Sequence, residues 1–143
     1  MSQRRDPDDV IRAVDLFCGG GGMSTALALA CEDIGREVDL CAVNHWDTAI
    51  SSHKENHPDV RHYNSTVEGV NPREVFPDER VDLLIAAPEC QHFSTARGGR
   101  PMHNDKRSTV WSIISWLEAL YIDSFIIENV PAFRSYGPLG ADG

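Results

Sequence analysis

Three short motifs carry side chains that could do chemistry. Residues 15–22 read DLFCGGGG, residues 88–94 read PECQHFS around Cys90, and residues 126–131 read IIENVP around Glu128. A glycine-rich turn lets the backbone approach a ligand closely, and the helix that follows offers free N–H groups to an anion. A cysteine can act as a nucleophile, and a carboxyl group can hold or donate a proton. Together, the motifs indicate a ligand site with covalent chemistry.

Each motif also has a simpler interpretation. The glycine cluster departs from the dinucleotide fingerprint because Ser24 occupies its last glycine position, so the segment could be a turn without a ligand. A single cysteine is more often a small buried hydrophobe, which is what we expect of Cys18, Cys31 and Cys41. Glu128 could face solvent, but the two preceding isoleucines predict partial desolvation and a raised pKa.

The pattern of apolar residues predicts the elements that position these motifs. Strands are expected at residues 10–17, 38–43, 60–63, 81–87 and 125–130, and helices at 24–33 and 46–56. A further helix is expected from the spacing of Val110, Ile113, Ile114, Leu117, Leu120 and Tyr121. Residues 68–80 form a loop with one helical turn at most, and the polar loop at 88–105 is long enough to be functional.

Alternating strands and helices predict an α/β fold with a doubly wound, mostly parallel sheet. Ligands of such sheets bind at the carboxyl ends of the strands, which is where all three motifs fall. The motifs are therefore expected to meet at one edge.

In this order and spacing, the motifs resemble the cofactor loop, the Pro-Cys motif and the Glu-Asn-Val motif of cytosine-C5 DNA methyltransferases, over about residues 13–131. The resemblance implies a Rossmann-like methyltransferase core. It also implies that residues 1–143 form a single catalytic domain, truncated after the fifth strand and lacking the target-recognition region. The activity implied is transfer of a methyl group from S-adenosylmethionine to C5 of a cytosine flipped out of DNA.

The resemblance also implies roles for individual residues. Cys90 would attack C6 of the cytosine, and Glu128, followed by Asn129, would contact the ring at N3 and the exocyclic amine. Trp46 would stack on the adenine of the cofactor. The full set of implied cofactor residues is Asp15, Phe17, Cys18, Gly19, Gly21, Gly22, His45, Trp46, Thr66 and Pro88. The residues expected to contact DNA are Gln91, Ser94, Arg97 and Arg100.

The sequence departs from the family pattern at several of these positions. Glu89 replaces the second of two prolines and would oppose thiolate formation at Cys90. His45 stands where an acidic residue would bind the ribose, and Ser65 and Thr66 stand where an aspartate is expected near the adenine. The later arginine motif and the last cofactor-contacting segment are absent from these 143 residues.

The formal net charge of −9 has the wrong sign for a protein that binds DNA through its own surface charge. Arg97, Arg100, Lys106 and Arg107 form a local basic patch, which could contact phosphates or simply be solvated. Two groups could suggest zinc: His53 with His57, and Cys90 with His92 and His103. Lys54 follows His53 and no CxxC occurs, so no metal is expected. These histidines are expected at the surface or facing DNA.

Three alternatives stay open at this stage: a tRNA cytosine-C5 methyltransferase, a non-catalytic subunit, and a fragment that needs a complementing chain with the missing motifs. Trp111 and Trp116 are expected to be packing residues. No apolar stretch approaches the roughly 20 residues of a membrane helix, and the polar N-terminus does not read as a signal peptide, so the expected location is the cytoplasm.

Overall fold

The computed structural model describes residues 10–89 and 108–135. The strands are β1 (Val10–Leu16), β2 (Glu37–Asn44), β3 (Arg61–Asn64), β4 (Arg80–Ala86) and β5 (Tyr121–Ile127). The helices are α1 (Gly22–Asp33), α2 (Asp47–Asn56), α3 (Pro72–Val75) and α4 (Ser108–Ala119), with 3₁₀ turns at Val67–Gly69 and Pro131–Ser135. All strand pairs are parallel, in the order β3-β2-β1-β4-β5. This α/β, Rossmann-like sheet confirms the predicted fold class.

Apolar residues cover both faces of the sheet because alternate side chains of a strand point to opposite faces. On one face, Cys41 and Val43 of β2 belong to a core with Trp116 of α4. On the other, Ala42 packs in a second cluster with Ile50 of α2. Helices on both faces make the sheet doubly wound. No helix in the described ranges is long and apolar enough to cross a membrane.

The first four strands and the first two helices lie where the apolar pattern predicts them, with differences of a few residues at their ends. The last helix and strand differ more. α4 ends at Ala119, and β5 already begins at Tyr121, which pairs with Arg80 of β4. The Tyr121 N–H also donates to the Glu79 carbonyl over 2.7 Å. Pairing with β4 therefore takes Tyr121 out of the predicted helix.

The register brings the strand ends to one edge. Leu16 of β1 is aligned with Val43 of β2 and with Ala86 of β4. Asn44 is aligned with Asn64 at the end of β3, and Ala86 with Ile127 at the end of β5. The segments that follow the strands are therefore arranged along this edge in strand order.

In the described residues β5 pairs only with β4. Three large side chains of this strand are exposed: Tyr121 by 67%, Phe125 by 56% and Ile126 by 52%. β5 is thus an edge strand of the described sheet and exposes apolar side chains on both of its faces.

Candidate active site

A cavity of about 470 Å³ opens at the carboxyl edge of the sheet. It is lined by the segments after β1 to β4 and by one side of α4. The lining residues are Phe17, Asn44, His45, Ser65, Thr66, Val67, Glu68, Glu89, Thr109, Trp111, Ser112 and Ser115. One aromatic ring from the β1 turn and a row of polar side chains thus face the same space.

The turn after β1 begins with a strained residue. Phe17 has φ 61°, in the left-handed region that bulky side chains rarely adopt, and the next N–H, that of Cys18, donates to the Val43 carbonyl over 3.2 Å. Such strain persists only where the surrounding structure holds it, and it is concentrated at functional sites. Here it directs the Phe17 ring into the cavity.

The end of α2 holds the glycine turn in place. Asn56 Nδ2 donates to the Gly20 carbonyl over 3.2 Å, and His57 Nε2 lies 3.3 Å from the Gly21 carbonyl oxygen. Gly21 has φ 98°, and a Cβ added there would lie 2.8 Å from the His57 ring. Only glycine fits this position, because both the backbone conformation and the close approach of His57 exclude a side chain.

A chain of buried polar groups runs beneath this turn. Ser24 Oγ lies 2.6 Å from Asp15 Oδ2 and 3.0 Å from His53 Nε2, and His53 Nδ1 lies 2.8 Å from His62 Nε2. Asp15, Ser24 and His53 are at most 1% exposed. With Asp15 ionised, every contact is satisfied when His53 donates to Ser24, Ser24 donates to Asp15, and His62 donates to His53. The network links β1, α1, α2 and β3 below the cofactor loop expected from the sequence.

Burial shifts the pKa values of this network in opposite directions. Loss of hydration raises the pKa of Asp15 to about 6, although the Ser24 hydrogen bonds oppose the rise. Loss of hydration, with His62 and His57 nearby, lowers the pKa of His53 to about 4. His53 is therefore neutral at physiological pH, in keeping with its role as both donor and acceptor.

The surface location expected for His53 is wrong. Its side chain is completely buried, and its partner Ser24 is far away in sequence. A histidine on a polar helix gives no local sign of a distant partner, so the sequence did not reveal the network. The only available signal was Ser24 itself, at the position where the dinucleotide fingerprint has a glycine.

The three described cysteines, Cys18, Cys31 and Cys41, are buried, as predicted. Burial raises the pKa of the Cys18 thiol to about 12, with a further contribution from the charge of Asp15. Burial likewise raises the pKa of Cys41 to about 12 and raises that of Cys31. None of the three is poised to form a nucleophilic thiolate.

The second and third motifs are tied together at the sheet edge. The Ala87 N–H donates to the Leu16 carbonyl over 3.2 Å, and the Glu128 N–H donates to the Ala86 carbonyl over 2.9 Å. Asn129 Nδ2 donates to the Pro88 carbonyl over 3.3 Å. The segment before Cys90 is therefore held between the end of β1 and the segment after β5. Gln91, Ser94, Arg97 and Arg100, like Cys90 itself, lie outside the described residues.

Glu128 does not have the environment that was expected. Its side chain is exposed, so the partial desolvation inferred from the preceding isoleucines is wrong for the described structure. The reason is that β5 is an edge strand here, with Ile126 itself 52% exposed. A side chain at a strand end is desolvated only when neighbouring elements cover it.

The structure brings together only part of the cofactor set implied by the resemblance. Phe17, His45 and Thr66 line the cavity. Trp46, 62% exposed at the start of α2, does not line it. The others outside the lining are the buried Asp15, Cys18 and Pro88 and the glycines Gly19, Gly21 and Gly22. Asp15 faces Ser24 rather than the cavity, so its place is under the turn.

The two tryptophans behave differently. Trp116 is buried and donates from Nε1 to the Val67 carbonyl over 3.3 Å, as expected of a packing residue. Trp111 is 52% exposed and lines the cavity, so its prediction as a packing residue is wrong. The two residues are five positions apart on α4, which turns them about 140° from each other around the helix, so they meet different surroundings.

Two carboxylates line the cavity, Glu68 and Glu89, and the described lining contains no lysine or arginine. No motif or spacing pointed to Glu68, which lies in the 3₁₀ turn after β3. Across the described ranges, no group of three or more His, Cys, Asp or Glu side chains could hold a metal ion.

Comparison with known proteins identifies the family. The profile of the C-5 cytosine-specific DNA methylases matches residues 11–136. The type II methyltransferase M.AgeI of Thalassovita gelatinovora is 31% identical over 131 residues, which cover 87% of this chain and 29% of that protein. The human tRNA (cytosine(38)-C(5))-methyltransferase is 28% identical over 126 residues, which cover 87% of this chain and 31% of that protein.

Among solved structures, one described as a DNA modification methyltransferase encoded within a prophage of E. coli aligns with a TM-score of 0.70 and 28% identity. The alignment covers 87% of this chain and 33% of that one. The chain therefore spans about a third of the length of these relatives. Because the family profile covers most of the sequence and includes all three motifs, the chain belongs to the C-5 cytosine-specific DNA methylase family.

Proposed function

We propose that the chain is the cofactor-binding and nucleophile-bearing part of a DNA (cytosine-5-)-methyltransferase that uses S-adenosylmethionine. The observation that carries this proposal is the convergence of the ends of β1, β2, β3 and β4 on one cavity, directly before Cys90. A cofactor and a nucleophile must meet for methyl transfer, and strand ends that converge on one edge support such a meeting.

The cavity suits the cofactor in size and chemistry. Its volume of about 470 Å³ falls in the range of small-molecule sites, roughly 300–1,000 Å³. Phe17 and Trp111 offer aromatic surface, while Asn44, His45 and Ser65 offer polar atoms at the ends of β2 and β3. An adenosyl group, with one flat base and a polar sugar, needs both kinds of contact.

His45 would take over the sugar contact made by an acidic residue elsewhere in the family. An imidazole nitrogen can accept a hydrogen bond from a ribose hydroxyl, as a carboxylate does, but without its negative charge. Thr66 is partly committed, because its hydroxyl already accepts a hydrogen bond from the Gly69 N–H over 3.2 Å. We therefore expect a sugar site that works but binds weakly.

In the proposed reaction, Cys90 Sγ adds to C6 of a flipped cytosine and Glu128 supports charge on the ring through N3. The electrons displaced by this addition make C5 nucleophilic. S-adenosylmethionine supplies the electrophilic methyl group. C5 takes the methyl group, loses its proton to a base, and the Cys90 thiolate leaves to restore the ring. Asn129 would position the Cys90 segment through its bond to the Pro88 carbonyl.

A second chain is the partner we propose besides DNA. The exposed apolar edge of β5 is the kind of surface that another strand covers, and the chain spans about a third of its relatives. A complementing chain, or a further segment, would carry the later motifs and the target-recognition region. The covering would also desolvate Glu128, which the proposed chemistry requires.

The alternative substrate is tRNA, since one relative is a tRNA cytosine methyltransferase at an identity close to that of the DNA enzymes. Both substrates use the same attack on C6, so the described residues do not separate them. The net charge of −9 opposes both polyanions equally, and the basic residues that follow Cys90 in the sequence could contact the phosphates of either one.

The test is covalent trapping. DNA and RNA oligonucleotides carrying 5-fluorocytosine are incubated with S-adenosylmethionine and the chain, together with any chain that co-purifies with it. Fluorine at C5 blocks the final elimination, so a denaturing gel should show a stable adduct with DNA. Cys90→Ala should abolish the adduct, whereas Cys31→Ala, a buried thiol on α1, should retain it. An adduct with Cys90→Ala would refute the assignment, and one formed only with RNA would favour the alternative.

A further inference from the structure

Glu89 stands on a backbone that is fixed at two points. The Ala87 N–H donates to the Leu16 carbonyl over 3.2 Å, and the Pro88 carbonyl accepts from Asn129 Nδ2 over 3.3 Å. Glu89 is the next residue, and its exposed side chain lines the cavity. The carboxylate is thus attached to the cavity wall close to the ends of β1 and β4.

The two carboxylates of the cavity belong to segments that follow different strands. Glu68 follows β3 and Glu89 follows β4, and these strands are separated by β2 and β1 in the sheet. Three strand spacings of about 4.8 Å separate the ends of these two strands by about 14 Å. A charge at one end of a bound cofactor therefore interacts mainly with only one of them.

The reacting end of the cofactor must lie near Glu89. Cys90 follows Glu89 directly, and the cytosine bonded to Cys90 has to receive the methyl group. The adenine would then extend away, toward the ends of β2 and β3. In that arrangement the sulfonium, which carries the methyl group, would be a positive centre next to the Glu89 carboxylate.

We propose that Glu89 is a residue that selects the cofactor by charge: its carboxylate favours the sulfonium cation of S-adenosylmethionine over the neutral thioether of S-adenosylhomocysteine. The inference rests on the proposed function and deepens it. It also gives the Pro-to-Glu replacement next to the nucleophile a role in the cofactor cavity, in addition to its effect on the thiol.

The preference follows the reaction. On methyl transfer, the bond from the methyl carbon to C5 forms and the bond from sulfur to that carbon breaks, with its electron pair staying on sulfur. The sulfonium thereby becomes a neutral thioether. An attraction that existed before transfer is lost after it, so the product is released more readily than the substrate.

The experiment compares three ligands by calorimetry and ligand-observed NMR. These are S-adenosylmethionine, neutral S-adenosylhomocysteine, and sinefungin, whose ammonium group takes the place of the sulfonium. The wild-type chain should bind both cations more tightly than the thioether. In Glu89→Gln this preference should fall by about fivefold for both cations, as expected for one partly screened charge. Affinity for the thioether should stay the same, which shows that the cavity is intact.

Glu68→Gln is the matched control, because it removes an equal charge from the same cavity, on the segment that follows β3 rather than β4. It should leave the preference for cations unchanged. An unchanged preference in Glu89→Gln, or an equal loss in Glu68→Gln, would overturn the inference while leaving the proposed function standing. Failure of the wild-type chain to bind any of the three ligands would contradict both the inference about Glu89 and the proposed function.

Discussion

The buried network of Asp15, Ser24 and His53 makes a prediction about stability against pH. The pKa of His53 falls from 6.5 in the unfolded chain to about 4, so its contribution to stability is complete above pH 6.5 and is lost as the pH falls toward 4. The pKa of Asp15 rises from 3.8 to about 6, so its contribution is complete below pH 3.8 and is lost as the pH rises through 6.

The two contributions oppose each other over nearly the same range. At 1.36 kcal/mol per pKa unit, each amounts to at most about 3 kcal/mol. Between pH 4 and 6, the folded chain holds one proton on Asp15, whereas the unfolded chain holds one on His53. Since both states bind the same number of protons, the pair as a whole should give almost no pH dependence.

Single variants should reveal the pH dependence of the unfolding free energy that each group contributes. Relative to wild type, Asp15→Asn should lose up to about 3 kcal/mol of unfolding free energy as the pH falls from 6.5 to 4. His53→Gln should gain a similar amount over that range. Urea unfolding followed by tryptophan fluorescence at half-unit pH steps measures both, with exposed Glu55→Gln as the control. If both variants follow the wild-type slope, the two groups are not linked by opposite shifts and the reasoning fails.

Three further outcomes are expected. Gly21→Ala should destabilise the chain by about 1–3 kcal/mol in the same unfolding assay, because the φ of 98° and the His57 ring exclude a Cβ. Gly20→Ala is the control and should be close to neutral, because a Cβ added there has no atom within 4 Å. The wild-type chain alone should bind S-adenosylmethionine weakly in calorimetry, because His45 stands where an acidic residue would bind the ribose. A submicromolar dissociation constant, which corresponds to a binding free energy of about −8 kcal/mol or better, would contradict this. The purified 143 residues should methylate no defined DNA motif, because the basic residues after Cys90 can contact phosphates but do not read bases. The test incubates the chain with a DNA pool and labelled cofactor and then sequences the DNA for methylated cytosines. A defined motif modified without a second protein would contradict this prediction.

The fold was predictable because the strands are short apolar runs between clear breakers. The glycines after Leu16 and Pro58 after α2 mark ends that local chemistry determines. Tyr121 is the opposite case, since an aromatic residue suits either element and its pairing with Arg80 decides between them. The boundary between α4 and β5 thus depends on a contact that is distant in sequence.

The candidate site divides in the same way. Phe17, His45 and Thr66 could be located because they follow strands, and parallel strands end at one edge. His53 could not, because its burial depends on Ser24 and His62, which lie on other elements. Local motifs indicate which chemistry is available, whereas the protonation state of a buried group depends on the whole tertiary arrangement.

The unpaired edge strand β5 also affects the tendency of the protein to aggregate in solution. Phe125 exposes an apolar side chain on one face of this edge strand and Ile126 on the other, beside backbone groups that no strand of the described sheet pairs, and this arrangement favours aggregation between identical molecules. The net charge of −9 opposes such encounters by mutual repulsion, and added salt screens that repulsion. Low ionic strength should therefore keep the protein dispersed during purification, and a polar replacement at Phe125 should widen the range of salt concentrations in which it can be handled.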